Sequence, residues 1–540
     1  MRPYPWEALY PPGILWDTPI ERGTLPDLLD RAVAQFGTAS AIEFRDRGLT
    51  YRELGERVDR FAAGLLGLGL RPGDAVALLP PNTPWHPVAF FGVLRAGMRV
   101  AHLSPLDPPR VLARKLADSG AATVVTTNVA RLMPAALRLL REGAATRLIV
   151  GEDAAWGPGE TEDIPVEAGV ILASALSGLI PSAWPPLTPD DIALLQYTGG
   201  TTGEPRAAML THGNLTAAVS IIDAWQPAER NLRPGDRVIG VLPLFHIYAL
   251  TSVLLRPLHR GAEILLRQRF DPVATLRDIE EKRATAFPGV PTMWIALAGV
   301  PDLDTRDLSS LRSTTSGGAP LPVEMSDRFH RLTGLRLGGG WGMTETSPVG
   351  AHLLPERPFR SGEIGVPLPG IVMQVVALDD PARELAPGEV GEIRIKGPNV
   401  TPGYWRRPDE NARAFVDGFF LTGDVGSMDA TGYFTLVDRK KDMIISGGFN
   451  VYPRNIEEAL YEHPDVAEAV VIGIAHAYRG QSAKAFVALR PGAPELTLED
   501  LRAFLAERLG RHEIPTDLEI RDSLPKTPVG KLSRHALAIE

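Results

Sequence analysis

Two hydrophobic rhythms alternate along the chain. In LTYREL, Thr50 and Glu53 have the T-x-x-E spacing of a capping box, and Val58, Phe61, Ala62 and Leu65 follow on one helical face, so a helix is predicted to start there. AVALLP then reads as a buried strand, WHPVAFFGVLRAG as a helix ended by glycine, and VAHLSP as the next strand. The alternation resumes further on in RVIGVLPLFH, GAEILLRQRF and TAFPGVP, each a short apolar run bounded by glycine, proline or charge. Short apolar strands between amphipathic helices predict parallel sheets with helices on both faces. The expected fold class is therefore α/β, with two doubly wound units in the large N-terminal part.

From 362 to 423 the helical period fades, and runs such as MQVVAL and GEIRIKG alternate with glycine and proline turns, as in a small β-barrel region packed against the sheets. The last hundred or so residues have the pattern of a small α+β domain. NIEEALYEH and LEDLRAFLAERLG read as its helices, and VAEAVVIGI and SAKAFVAL as its strands. The expected division is 1–440 and 441–540.

The most informative stretch is 192–214, IALLQYTGGTTGEPRAAMLTHGN. Its apolar start predicts a strand. Gly199, Gly200, Thr201, Thr202 and Gly203 then offer backbone N–H groups free of side-chain bulk, with two hydroxyl donors among them, which suits a phosphate. Pro205 ends the loop, and a helix is predicted to begin near Asn214, with Leu215, Ala218, Val219 and Ile222 on one face. The G-x-x-x-x-G-K-[ST] spacing of a Walker loop is absent. Taken alone, such a glycine cluster is more often merely a sharp surface turn.

Other strings carry candidate chemistry. Ser313 begins STTSGGAPL, where a strand meets a glycine turn at Gly317, Gly318 and Ala319, and VEMSDRFHRL continues as a helix. GGGWGMTETS holds Gly340, the flat face of Trp341, the hydroxyl of Thr344 and the carboxylate of Glu345. LTGD ends at Asp424, and the charged run DRKKD contains Arg439 and Lys441. His246 is expected at the end of a strand, where ligands collect in such sheets. Near the C-terminus, LPKTPVGKLSR reads as an exposed loop presenting Lys531.

In this order the strings resemble the adenylate-forming superfamily of acyl-CoA synthetases, aryl-CoA ligases, luciferases and peptide-synthetase adenylation domains, and the resemblance spans almost the whole chain. Within it the chain looks closest to the fatty acyl-CoA ligases. The family usually has Ser at Gly199, Lys at Arg206 and Gly at Ala207, so one hydroxyl donor is lost and a guanidinium replaces an ammonium. The resemblance implies that Thr198 to Gly203 and Arg206 bind phosphate, that Gly317, Gly318 and Ala319 flank adenine, and that Gly340 and Trp341 stack near it. It further implies that Thr344 touches phosphate, Glu345 holds magnesium, and Asp424 and Arg439 bind ribose. His246 borders the acyl pocket. Lys441 is the interdomain hinge, Gly447, Gly448 and Phe449 line the pantetheine path, and Lys531 is the catalytic lysine. The implied activity is an AMP-forming ligation of a fatty-acid-like carboxylate to coenzyme A, using ATP and Mg2+. Alternatives are an aryl- or dicarboxylate-CoA ligase, a peptide-synthetase type of adenylation enzyme, and a non-catalytic nucleotide or acyl-CoA sensor. An amino-acid-activating domain usually has an aspartate where His246 stands.

Composition narrows the partners. The 540 residues are 44% hydrophobic, enough for more than one core. A net charge of -9 argues against a nucleic-acid partner, and the absence of cysteine rules out disulfides and a cysteine nucleophile. Any thioester must take its sulfur from a ligand. The proline-broken N-terminus lacks a signal-peptide pattern, so a cytoplasmic protein is expected. No transmembrane segment is expected, because the uncharged stretches 75–94 and 168–189 are interrupted by prolines. A peripheral membrane contact through 168–189 and a homodimer are further expectations, the dimer by resemblance only.

Overall fold

The structure is a computed structural model that describes every residue except 1, 2, 131, 199–204, 320–322, 355, 356, 358, 359, 361, 447, 448, 477, 528, 529 and 540. The capping box forms as its spacing requires. Thr50 Oγ1 accepts from the Glu53 N–H and the Glu53 carboxylate accepts from the Thr50 N–H, opening the helix Tyr51–Gly67. This helix packs on Trp85–Arg95, which is buried on every side and therefore has no polar face in its sequence.

The first sheet has seven strands, in the order Val170–Leu172, Arg147–Gly151, Thr123–Thr127, Ala75–Leu78, Arg99–His102, Ile192–Thr198 and Arg206–Thr211. All its pairings are parallel except the last, a hairpin that sets Thr198 opposite Arg206. The strand Arg206–Thr211 adds to the sequence reading, which assigned no element between the loop's end at Pro205 and the helix expected near Asn214. The helix is His212–Trp225 and its N-cap is Thr211; Asn214 is its third residue, whose side-chain oxygen accepts from the Thr211 N–H at 3.0 Å. Ala207, Ala208 and Leu210 are all buried, so RAAMLT lacks the alternation that marks a half-exposed strand.

The second sheet begins at Arg47–Thr50 and Ser40–Phe44 and continues through Glu263–Leu266, Arg237–Gly240, Ala286–Gly289, Ser313–Ser316 and Gly338–Trp341. From Gly338–Trp341 the hydrogen bonding passes without a break into the antiparallel β region, through Ala351–His352, Glu363–Pro367, Phe434–Arg439, Phe419–Met428, Gly391–Lys396 and Val372–Val376. One core, including Phe90, Phe91, Val253 and Leu254, fills the space between the two sheets. Polar links cross it. The Asn82 amide donates to the Leu242 carbonyl at 2.8 Å and accepts from the Leu244 N–H at 2.9 Å, and the Gln196 amide donates to the Phe245 carbonyl at 3.0 Å. The first sheet thus fixes the loop leading to His246.

Between 439 and 444 the chain leaves the second sheet and enters a five-stranded C-terminal sheet of Phe449–Val451, Ile444–Ser446, Gly480–Leu489, Val466–His476 and Asp517–Ile520. The helices Pro453–Tyr461 and Leu498–Ala506 cover it, with Ile456, Leu460, Leu501 and Leu505 in its core. Among the described residues no helix is long and apolar enough to cross a membrane.

Candidate active site

A cavity of about 1850 Å3 opens at the C-terminal ends of the second sheet's strands, under the β region and the C-terminal domain. Strand Ser313–Ser316 delivers its turn into this space. Gly317 is required there because a methyl group on it would stand 2.9 Å from the Tyr248 ring. Gly318 has φ +79°, and a methyl group on it would lie 3.0 Å from Lys531 Cε. Ala319 also lines the space.

Two strands of the β region bring opposite charges together. In the hairpin Phe419–Met428 with Phe434–Arg439, Asp424 and Arg439 are direct partners, and Arg439 Nε lies 3.1 Å from Asp424 Oδ1. The Trp341 indole N–H donates to Asp424 Oδ2 at 2.7 Å. Burial pushes the Asp424 carboxyl up, while Arg439 and the Trp341 hydrogen bond oppose it. Oδ1, though ion-paired, makes no hydrogen bond and can accept one from a ligand hydroxyl.

Glu345 is buried beside this pair. Its Oε1 accepts from the Tyr404 hydroxyl at 2.7 Å, and the Arg206 guanidinium lies over the Tyr404 ring at 4.4 Å while reaching Glu410 at 3.5 Å. Thr344 and Thr198 line the same wall.

Lys531 enters from the C-terminal domain. Its loop is held by the Thr292 hydroxyl, which donates to the Gly530 carbonyl at 3.2 Å, and by Thr527, whose hydroxyl accepts from the Lys531 N–H at 3.1 Å. Burial and the Arg439 guanidinium push the Lys531 ammonium down to about 8, against the pull of Asp424. His246 lies close by. Burial and the Lys531 charge push it down to about 3, so it is neutral at pH 7. His246 Nδ1 accepts from the Tyr248 N–H at 3.3 Å, which leaves the proton on Nε2. His246 is the N-cap of Ile247–Ala249, beyond the strand Arg237–Gly240, and so does not end a strand as the sequence suggested.

The cavity therefore gathers Thr198, Arg206, the 317–319 turn, Gly340, Trp341, Thr344, Glu345, Asp424, Arg439 and Lys531 with His246, and Lys441 stands at its rim. Phe449 is not among the lining residues; it is 59% exposed with its ring 4.9 Å from that of His512. Gly199, Gly200, Thr201, Thr202, Gly203, Gly447 and Gly448 lie outside the described residues. Two contributors escaped the sequence reading. Tyr404 orients Glu345 from 59 residues away. Arg534, three residues past Lys531, binds Glu457 at 2.6 Å and Asp438 at 3.0 Å, tying the lysine loop to the strand that carries Arg439. An Arg following the Gly-Lys pair was the only sequence sign of the latter.

A loop lysine facing a glycine turn and a carboxylate–guanidinium pair, over the strand ends of a doubly wound sheet, defines a nucleotide-binding enzyme of the adenylating kind, and the chain belongs to that family. Residues 29–405 match the AMP-binding enzyme family and residues 455–531 its C-terminal domain. The chain is 37% identical to a long-chain-fatty-acid–CoA ligase of Bacillus subtilis (strain 168), the alignment covering 99% of this chain and 98% of that one. It is 39% identical to a feruloyl-CoA synthase of Amycolatopsis sp, over 92% and 94% of the two chains. Among solved structures, ATP-bound MatB from Rhodopseudomonas palustris superposes with a TM-score of 0.84 at 29% identity, covering 95% of this chain and 98% of that one.

Proposed function

We propose that the protein is an AMP-forming acid–thiol ligase that activates a fatty-acid-like carboxylate with ATP and transfers the acyl group to coenzyme A. The observation that carries this reading is Lys531 lodged against Gly318, with Asp424, Arg439 and Glu345 on the same cavity. In the first half-reaction a carboxylate oxygen bonds to the α-phosphorus as the bond to pyrophosphate breaks. Lys531 bridges the two anions, and His246, beside it on the cavity wall, would border the acyl group. Little covalent chemistry falls to the protein, so positioning and fixed positive charge supply the acceleration.

Asp424 Oδ1 and Arg439 would hold the ribose. Trp341 would present its face to adenine while its N–H keeps Asp424 in place. The residues fit magnesium in one respect. Glu345 Oε1 is taken by Tyr404, Oε2 makes no hydrogen bond among the described residues, and no group of three or more ligating side chains occurs among them. One carboxylate plus substrate phosphate oxygens is a usual magnesium shell. When bound, the ion would offset charge on the departing pyrophosphate.

In the second half-reaction the CoA sulfur bonds to the acyl carbon, AMP leaves with the bonding pair, and the thiol proton passes to solvent. Phe449 stands outside the cavity here, so lining a pantetheine path requires the C-terminal domain to turn. Lys441, between the two sheets, is proposed as the residue that absorbs the rotation. The test is a panel of carboxylic acids with ATP, magnesium and CoA, read as AMP formation. Selective turnover of amino acids, or no AMP with any acid, would refute the proposal.

A further inference from the structure

The C-terminal domain is held over the cavity by more than its connecting segment. Successive residues of a strand face opposite ways, so the strand Phe434–Arg439 that turns Arg439 towards Asp424 turns Asp438 towards the C-terminal domain. The Asp438 carboxylate is buried and takes two contacts from that domain. Its Oδ2 accepts from the Arg454 N–H at 2.8 Å, and its Oδ1 accepts from Arg534 Nη1 at 3.0 Å. Within its own strand Oδ1 also accepts from the Arg439 N–H at 2.7 Å.

Both partners have reason to use this carboxylate. Arg454 is the second residue of the helix Pro453–Tyr461, whose N-cap Tyr452 makes no side-chain cap and whose first residue, a proline, has no N–H. The first donor of that helix is therefore satisfied from the other domain, by an acidic group at the positive end of the helix dipole. Arg534 opens the helix Arg534–Ile539, three residues past Lys531. Its Nε and Nη2 are spent on Glu457, at 3.0 and 2.6 Å, which leaves Nη1 for Asp438 and, at 3.2 Å, for Asp442.

The proposed rotation about Lys441 sorts these contacts. Glu457 and Asp442 lie on the C-terminal side of the pivot and travel with Arg534. Asp438 lies on the other side, and it loses Arg454 and Arg534 together. Among the described residues it would keep the Arg439 N–H alone, as a buried carboxylate short of partners. The contacts of Asp438 and the seat of Lys531 against Gly318 are thus made and lost in one movement.

Resting on the ligase reading above, we infer that Asp438 is a positioning residue for the first half-reaction: through Arg534 and Arg454 it latches the C-terminal domain in the orientation that places Lys531. It touches no substrate and has no part in thioester formation. Weakening the latch lowers the fraction of molecules competent for adenylation, and the rate of that step falls with the fraction.

Asp438→Asn keeps the shape and an acceptor for Arg454 but removes the charge that holds Arg534. With dodecanoic acid it should slow adenylation about tenfold, as loss of one charge-assisted bond ordinarily does. Preformed dodecanoyl-adenylate and CoA should still give thioester at no less than the unmodified rate, and the affinity for AMP should not change. Arg534→Gln should show the same split between the half-reactions, and the double variant should be no slower than the worse single one. Melting temperatures check that each variant folds. Orientation is read directly: the chain has no cysteine, so Val166→Cys and Tyr478→Cys, at exposed positions in the two domains, take spin labels at those sites alone. With α,β-methylene-ATP bound, the labels should show one distance in the otherwise unmodified chain, and a second distance should become the majority in Asp438→Asn. Equal slowing of both half-reactions, an unchanged single distance, or weakened AMP binding, which would place the effect on Arg439 and the ribose, overturns the inference and leaves the ligase reading standing. A second distance in Asp438→Asn, with no AMP formed from any acid by the unmodified chain, would uphold the latch and refute the ligase reading.

Discussion

The two ends of the cavity are built by different means. At the reacting end, the groups come from a strand turn (Gly317, Gly318), a β-hairpin (Asp424, Arg439), a short helical turn (Glu345) and a separate domain (Lys531), and ion pairs and hydrogen bonds hold them in register. At the tail end a bare sheet face meets one helical stripe, and shape follows from small side chains: Ala286, Ser313 and the glycines at 338 and 340. The first end is assembled by long-range contacts, of which only those of Lys531 come from the C-terminal domain and would be lost in the proposed rotation. The second is part of the rigid packed core and can change only by substitution. Changes at the reacting end should therefore alter the rate with every acid, and changes at the tail end should alter which acid is used.

The largest expected effect is at Lys531. Lys531→Ala should slow adenylation by about a hundredfold or more with every acid, while preformed acyl-adenylate and CoA still give thioester near the unmodified rate. A selective loss for one acid would blur the distinction between the two ends. The same residue gives a pH signature. With its pKa near 8, the ammonium is present below that value and is lost as pH rises through it, so adenylation should fall over that range. In Lys531→Arg whatever activity remains should persist to higher pH.

Next in size is the proposed hinge. Lys441→Pro fixes φ and restricts Lys440, so thioester formation should drop by about tenfold while adenylation changes little, both followed in single-turnover assays. Equal losses would place the rotation elsewhere. Tyr404→Phe removes one hydrogen bond to Glu345 without changing shape, and should lower kcat about fivefold for all acids alike, in keeping with a bond worth about 1 kcal/mol. The smallest effect is reserved for the scaffold. Thr50→Ala should cost about 1 kcal/mol of stability by thermal or denaturant unfolding and leave both half-reactions unchanged.

Much of this molecule was legible from the residues. The strands Ala75–Leu78, Arg99–His102 and Glu263–Leu266 fall in short apolar runs, Ser313–Ser316 falls just before its glycine turn, and the box at Thr50 and Glu53 starts its helix. Such signals are local: they depend on period, caps and turn chemistry within a few residues. The glycine-bearing strings and the loop lysine were legible for the same reason, and their order along the chain pointed to the family.

Other features could not be read that way, because they depend on which segments lie side by side. The strand Arg206–Thr211 exists because it pairs with Ile192–Thr198, and nothing in RAAMLT alone demands it. Trp341 presents a flat face in the sequence, but only the sheet pairing brings its N–H to Asp424, 83 residues on. The tail pocket is the sharpest case. YALTSVLL is a largely apolar string, interrupted only by Thr251 and Ser252. In the fold Leu250, Val253, Leu254 and Leu255 face the core, and Tyr248 and Ser252, followed by Arg256, face the cavity. Composition determined that this segment is apolar enough to be buried; that it is helical came from the structure. Which of its faces meets the substrate was decided by packing, because the apolar side is consumed in joining the two sheets and only the polar stripe is left for the cavity.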